Sequence, residues 1–176
     1  REKGTITMVI QSLGKTTLEM RDHYKAGDSI ADFVGPLGLP QHVSPVGHVV
    51  LVGGGLGVAP VYPQLRAFKE AGNRTTGIIG FRNKDLVFWE ETFGRYCDNL
   101  IVCTDDGSYG KPGFVTAALQ EVLDNDRPDL VIAIGPLPMM NACVETTRPS
   151  GVKTMVSLNA IMVDGTGMCG SCRATV

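Results

Sequence analysis

A chain of 176 residues with 43% hydrophobic and 19% charged side chains is an ordinary globular mixture, long enough for one full core and a smaller piece. Sixteen Lys and Arg against eighteen Asp and Glu leave a net charge of -2, which offers a nucleic-acid backbone nothing to hold, and no basic run suits a membrane surface. No apolar run reaches the ~18 residues of a membrane span, and Arg1-Glu-Lys3 is no signal peptide; it reads as the inside of a longer protein.

Residues 4–10 alternate and are β-branched, which predicts a strand. Gly14-Lys-Thr-Thr17 is a turn with a helix N-cap, opening a short helix over Thr17–Asp22. A second strand is expected over Ser29–Val34, ending at the turn cluster Gly35-Pro-Leu-Gly38. Two strands and a short helix cannot close a core, so residues 1–46 read as the end of a β-barrel whose earlier strands are missing.

From His48 the pattern changes. Apolar runs at 48–53, 75–81, 99–103, 129–134 and 153–157 predict strands, and helices fall near 58–72, 84–93, 112–124 and 137–147. This alternation with continuous apolar strands is that of an α/β fold with a parallel sheet covered on both faces. Right-handed crossovers place all the strand C-terminal ends along one edge, where such sheets bind ligands.

Three loops fall on that edge. Val49-Val-Leu-Val-Gly-Gly-Gly-Leu-Gly-Val-Ala-Pro60 runs a buried strand through Gly53, Gly54, Gly55 and Gly57 into a helix, the order a nucleotide loop needs. Its spacing is not G-x-G-x-x-G, since Ala59-Pro60 stands where the last glycine is sought. Thr104-Asp-Asp-Gly-Ser-Tyr-Gly110 offers acidic and hydroxyl groups to a ribose or a nicotinamide amide, and reads equally as a solvated turn. Gly135-Pro-Leu-Pro-Met-Met140 opens a helix beside the same crevice. Gly80-Phe-Arg-Asn-Lys-Asp85 gives a mixed signal on the adenosine 2′-position, because Arg82 and Lys84 suit a phosphate that Asp85 repels; NAD and NADP both remain open.

Five cysteines, an odd number, argue against a disulfide framework and for a reducing, cytoplasmic setting. Cys97, Cys103 and Cys143 lie in apolar surroundings and read as small core residues. Cys169-x-x-Cys172 differs: Gly165, Gly167 and Gly170 around it keep side chains away from an inorganic core, and both iron–sulfur and zinc are chemically possible. Asp164 stands where the C-x4-C-x2-C spacing puts a first ligand, and a carboxylate that only caps the loop is the alternative. His23, His42 and His48 flank turns or begin a strand and suggest solvated or core-satisfied roles. No Ser-His-Asp order or carboxylate pair stands out, so no side chain is assigned a catalytic role.

With these motifs in place the chain resembles the ferredoxin–NADP reductase superfamily, in the branch of electron-transfer subunits of multi-subunit flavoproteins. Gly35-Pro-Leu-Gly38 resembles the end of that family's flavin barrel, and Gly53–Pro60 and Gly135–Met140 resemble its pyridine-nucleotide loops. Val156–Arg173 is similar to the tail of the small subunits of NADH-dependent reduced ferredoxin:NADP oxidoreductases, also called sulfide dehydrogenase subunit beta. Dihydroorotate dehydrogenase electron-transfer subunits are cousins whose cluster uses four cysteines.

The resemblance implies FAD, NAD(P)H and a 2Fe–2S cluster held by one aspartate and three cysteines. Asp164, Cys169 and Cys172 match three ligands, and the fourth is expected beyond Val176. Gly14, Lys15, Thr16 and Thr17 match the flavin pyrophosphate turn, the flavin-ring motif being expected before Arg1. Gly54, Gly55 and Gly57 match the nucleotide pyrophosphate loop, with Thr104, Asp105, Asp106, Gly135, Pro136 and Met139 framing ribose and nicotinamide. Many relatives carry a cysteine before the Gly-Pro turn; Ile134 stands there, and no thiol role carries over.

The division implied is 1–46 for the barrel remnant, 47–158 for the NAD(P)-binding domain and 159–176 for a truncated cluster segment. The partner implied is a larger flavoprotein oxidoreductase subunit, with ferredoxin as a further one, and neither nucleic acid nor membrane. The rival partner is dihydroorotate dehydrogenase; the rival of another class is a nucleotide- or zinc-binding module without redox turnover. On this reading the 176-residue chain alone does not oxidise NADH, and its tail is metal-free and mobile.

Overall fold

The computed structural model describes residues 4–159 and 161–175. Its centre is a six-stranded sheet of β1 (His48–Gly54), β2 (Arg74–Phe81), β3 (Asn99–Thr104), β4 (Lys111–Pro112), β5 (Leu130–Ile134) and β6 (Lys153–Val156), all parallel and ordered β4-β3-β2-β1-β5-β6. The apolar runs are continuous because helices cover both faces. Along β1, Val50 and Val52 face one core with Val115, Leu119 and Val122 of α4 (Val115–Asn125) and Met140 and Cys143 of α5 (Leu137–Thr147). Val49 and Leu51 face the other, with Val58, Val61, Leu65 and Phe68 of α2 (Val58–Glu70) and Phe93 of α3 (Glu90–Gly94). Every residue of β1 is buried.

The helix expected over 84–93 is broken. A single 3-10 turn at Lys84–Leu86 precedes α3, and Trp89 between them sits at φ 60°. Three consecutive bulky residues, Val87-Phe88-Trp89, cannot share one helix face. The break lets Phe88 pack edge-on to Phe81 at 5.5 Å and Trp89 lie 5.5 Å from Tyr62. The helix expected from 112 starts at Val115, because Lys111 and Pro112 pair with Cys103 and Thr104 as β4. The helix expected to reach 72 stops at Glu70, and Gly72 at φ 85° donates its N–H to Lys69.

Residues 4–47 overturn two expectations. Neither 4–10 nor 29–34 is a strand; only α1 (Lys15–His23) is regular, and none of these residues is buried. An alternating β-branched run becomes a strand only beside a partner ladder, and among the described residues none runs alongside it. Among the described residues no helix is long and apolar enough to cross a membrane.

Candidate nucleotide site at the sheet switch point

β1 lies between β2 and β5, so the chain leaves its C-terminal end toward one side of the sheet and leaves β5 toward the other. The crevice between the two departing loops is the position where open parallel sheets hold ligands. The loops touch through glycines. A Cβ on Gly57 would stand 2.2 Å from the Ile134 carbonyl oxygen, and one on Gly54 would stand 2.2 Å from Met139 Sδ and 3.3 Å from Pro136 Cδ. One on Gly135 would meet Met139 Cε at 2.8 Å. Gly54, Gly57, Gly135, Pro136 and Met139 are therefore brought together, with Met139 filling the space the glycines leave.

Gly55 has a different reason: it sits at φ 54° and faces open space within 4 Å. A 3-10 turn, Gly55–Gly57, runs straight into α2 and starts with no side-chain cap, so the N–H groups of that turn and the positive end of the helix dipole lie at this opening. A diphosphate suits that combination of bare backbone and uncapped turn.

The structure keeps Thr104, Asp105 and Asp106 apart from those glycines, at the end of β3 and two strands from β1. The buried Thr104 hydroxyl donates to the Tyr109 carbonyl at 2.6 Å and accepts the Tyr109 N–H at 3.0 Å. It braces its own loop and has little left for a ribose. Asp106 accepts the Ser108 hydroxyl and N–H, which hold its carboxyl below the ordinary value. Asp105 is exposed. The loop is tied to the one after β2: Ser108 Oγ accepts the Lys84 N–H at 2.8 Å, and the Tyr109 hydroxyl donates to Glu90 Oε2 at 2.9 Å, which raises the phenol.

Gly14, Lys15, Thr16 and Thr17 form the N-terminal turn of α1 and, with Val9–Gln11 and Leu13, line an open groove whose far wall is Leu56 of the first glycine loop. Thr17 Oγ1 is engaged locally, accepting the Leu13 and Gly14 N–H groups and donating to the Gly14 carbonyl. The juxtaposition with Leu56 has no sequence signal, since about forty residues separate the two walls.

In the tail the Asp164 carboxylate accepts N–H groups from Thr166 (2.9 Å), Gly167 (3.3 Å) and Cys169 (3.0 Å). Thr166 leads in holding its carboxyl below the ordinary value. Cys169 and Cys172 are exposed free thiols, and the Ser171 hydroxyl and N–H lower the first. Gly165, Gly167 and Gly170 all adopt positive φ, at 72°, 87° and 62°. The donor chemistry suits iron or zinc. Among the described residues no three His, Cys, Asp or Glu side chains gather as a metal site, the Asp164 carboxylate being turned onto its own loop. Cys103 and Cys143 are buried and Cys97 half-buried; burial raises all three, to about 12 at Cys97 and about 11 at Cys143, as inert core thiols require.

Residues 51–145 match the family model of the oxidoreductase NAD-binding domain. The chain is 48% identical, over 99% of its length, to the dihydroorotate dehydrogenase B (NAD(+)) electron transfer subunit homolog of Thermotoga maritima, and 37% identical, over 97%, to the corresponding electron transfer subunit of Shouchella clausii. It spans 61% and 64% of the lengths of those two relatives. Among solved structures it is similar to one of the NADH-dependent reduced ferredoxin–NADP oxidoreductase, described for flavin-based electron bifurcation: TM-score 0.83 and 47% identity, covering 93% of this chain and 59% of that one. The glycine-walled crevice thus lies inside the matched segment, and the chain belongs to the oxidoreductase NAD-binding domain family, in its ferredoxin–NADP reductase-like branch.

Proposed function

We propose that the chain is the nucleotide-binding part of an electron-transfer subunit that takes a hydride from NADH, passes it to FAD, and sends single electrons through a 2Fe–2S cluster to a larger flavoprotein subunit. The observation that carries this is the crevice at the switch point, where Gly54, Gly57 and Gly135 let two loops approach while Gly55 opens the uncapped 3-10 turn that leads into α2. In this reading residues 47–158 bind the nucleotide, residues 1–46 belong to a flavin barrel, and 159–176 to a cluster segment.

The backbone N–H groups behind Gly55 and Gly57 hold the pyrophosphate, and Gly135, Pro136 and Met139 orient the nicotinamide against a flat apolar wall. Asp105 and Asp106, in the loop after β3 and two strands from β1, meet a ribose rather than the reacting ring. Gly14, Lys15, Thr16 and Thr17 supply the N-terminal turn of α1 and a cation for a flavin diphosphate, and Leu56 sets that groove beside the first glycine loop. Cys169, Cys172 and Asp164 would be the cluster donors on this chain, the carboxylate exchanging its backbone N–H groups for iron. Bound flavin and cluster supply the redox chemistry, converting a hydride pair into single electrons. The protein's own work is to align two rings and exclude water, which needs no general base.

The names of the Thermotoga and Shouchella relatives favour dihydroorotate dehydrogenase as a second candidate partner. Asp164 at the first-ligand position favours the ferredoxin–NADP oxidoreductase branch, because the cousins' cluster uses four cysteines.

Trp89 is the sole tryptophan and gives a direct test. NADH titrated into the chain is expected to quench Trp89 fluorescence saturably, and Gly57→Ala to weaken binding at least about tenfold, while Gly94→Ala, which meets nothing within 4 Å, leaves it unchanged. A folded chain indifferent to NADH, or a Gly57→Ala chain that binds equally well, refutes the nucleotide site. A holoprotein whose visible and EPR spectra contain neither flavin nor iron refutes the electron-transfer reading.

A further inference from the structure

Residues 4–40 contain no buried side chain; they meet the sheet domain at Leu56 beside the α1 groove, and Leu37 approaches Gly165 of the tail. The segment enters the sheet domain through a short tether. That tether, residues 41–47, is gripped at the N-terminal edge of the sheet, opposite the glycine crevice.

Asn73, 3% exposed in the turn before β2, spends its whole amide on the grip. Its Oδ1 accepts the N–H groups of Val46 (2.7 Å) and Gly47 (3.1 Å), and its Nδ2 donates to the carbonyls of Ser44 (3.1 Å) and Phe68 (2.9 Å). From the other side Asp129, ahead of β5, accepts the His48 N–H at 2.8 Å, and its Oδ2 would lie 2.2 Å from a Cβ on Gly47. Gly47 turns there at φ 114°, and its carbonyl and that of His48 accept the N–H groups of Arg74 and Asp129. Two side chains from opposite neighbours of β1 thus fix both the place and the direction in which the tether enters the sheet.

We infer that Asn73 and Asp129 are positioning residues: they set the angle of the α1-bearing segment to the nucleotide crevice, and through it the alignment of the two rings in hydride transfer. The inference rests on the function proposed above. Misalignment of about 1 Å costs a transfer step on the order of a hundredfold, while ligand binding on the far edge of the sheet is untouched.

The test is single-turnover reduction of the flavin-loaded holoenzyme by NADH. Asn73→Ala and Asp129→Ala are expected to slow the limiting rate at saturating NADH at least about tenfold, with half-saturation changed less than about twofold. Asn73→Asp, which keeps the acceptor for Val46 and Gly47 but sets a carboxylate oxygen against the Ser44 and Phe68 carbonyls, is expected to recover the rate only in part. Asp129 is exposed, so its alanine variant serves even where Asn73→Ala does not fold. A lowered melting temperature with an unchanged limiting rate overturns the inference, as does a parallel loss of NADH affinity, since either marks a merely structural role. If wild-type flavin is not reduced by NADH, the proposed function fails instead, and small-angle scattering decides the clamp: a broadened distance distribution in folded Asp129→Ala supports it, and one identical to wild type overturns it.

Discussion

The sheet and the segments flanking it are held by different forces. Between His48 and Val156 order comes from burial: both faces of β1 are covered, and Val49, Val50, Leu51 and Val52 have no exposed surface. In 4–40 and 161–175 the side-chain hydrogen bonds are short-range, Thr17 folding back on Leu13 and Gly14, and Asp164 on three N–H groups of its own loop. Burial is cooperative and extends over the whole domain, whereas local hydrogen bonds each stabilise one turn. The comparison breaks most sharply at leucine. Leu51→Ala is expected to cost about 4 kcal/mol, the range for a close-packed interior site, while Leu39→Ala, at a side chain 98% exposed, stays within about 0.5 kcal/mol. Urea denaturation of both variants measures this, and equal losses would show that the flank shares the core.

Glycines sharpen the same contrast at a smaller scale. Gly110, behind β3, combines φ 63° with a Cβ position 2.3 Å from the Val102 carbonyl oxygen. Gly110→Ala therefore pays a left-handed backbone and a clash with main chain that cannot swing aside, about 2–3 kcal/mol in all. Gly167 has φ 87° and nothing within 4 Å, so Gly167→Ala costs about 1 kcal/mol from the backbone alone. In thermal unfolding the first shifts the global transition and the second barely moves it; a larger shift at Gly167 would mean that the tail is packed against the sheet.

The same division explains what was legible in the sequence. Five of the six strands stand nearly where the apolar runs place them, because a strand covered on both faces must be continuously apolar; β4, only Lys111–Pro112, carries no such run and falls at the expected start of a helix. The crevice was legible for a similar reason: Gly54, Gly57 and Gly135 are glycines because backbone or Met139 occupies the space of their side chains. Residues 4–10 and 29–34 carry a strand pattern that needs a partner the pattern itself does not name. Thr104 looked like a ligand group because sequence cannot tell a hydroxyl that points outward from one that closes on Tyr109. Asn73 left no trace at all, since its grip on Ser44, Val46 and Gly47 spans nearly thirty residues and depends on where the tether passes.

The smallest expected effect is on pH dependence, and it separates the two regions by where on the scale each responds. His48 is buried at the start of β1, its Nε2 2.9 Å from Thr76 Oγ1. Burial first, and the Arg74 guanidinium second, hold the imidazole below its ordinary value, against the pull of Asp126 and Asp129. The 3.6 Å approach of Nδ1 to Asp126 is therefore not an ion pair at neutral pH. Because the folded value is the lower one, the unfolded chain takes up the proton first. The contribution of a neutral His48 is complete above about pH 6.5 and is lost as the pH falls from there through the folded value. Asp164 is also lowered, but as a carboxylate: its turn holds above the ordinary aspartate value and loosens only as the pH falls through its depressed one. Urea midpoints taken across mildly acid pH should fall in the wild type and flatten in His48→Gln, while the protection of the Thr166, Gly167 and Cys169 amides against exchange, relative to an unstructured chain at the same pH, stays unchanged until the carboxylate range. A tail that loosened together with the sheet near pH 6 would mean that the two regions share one cooperative unit, and that the Asp164 turn draws its order from the core.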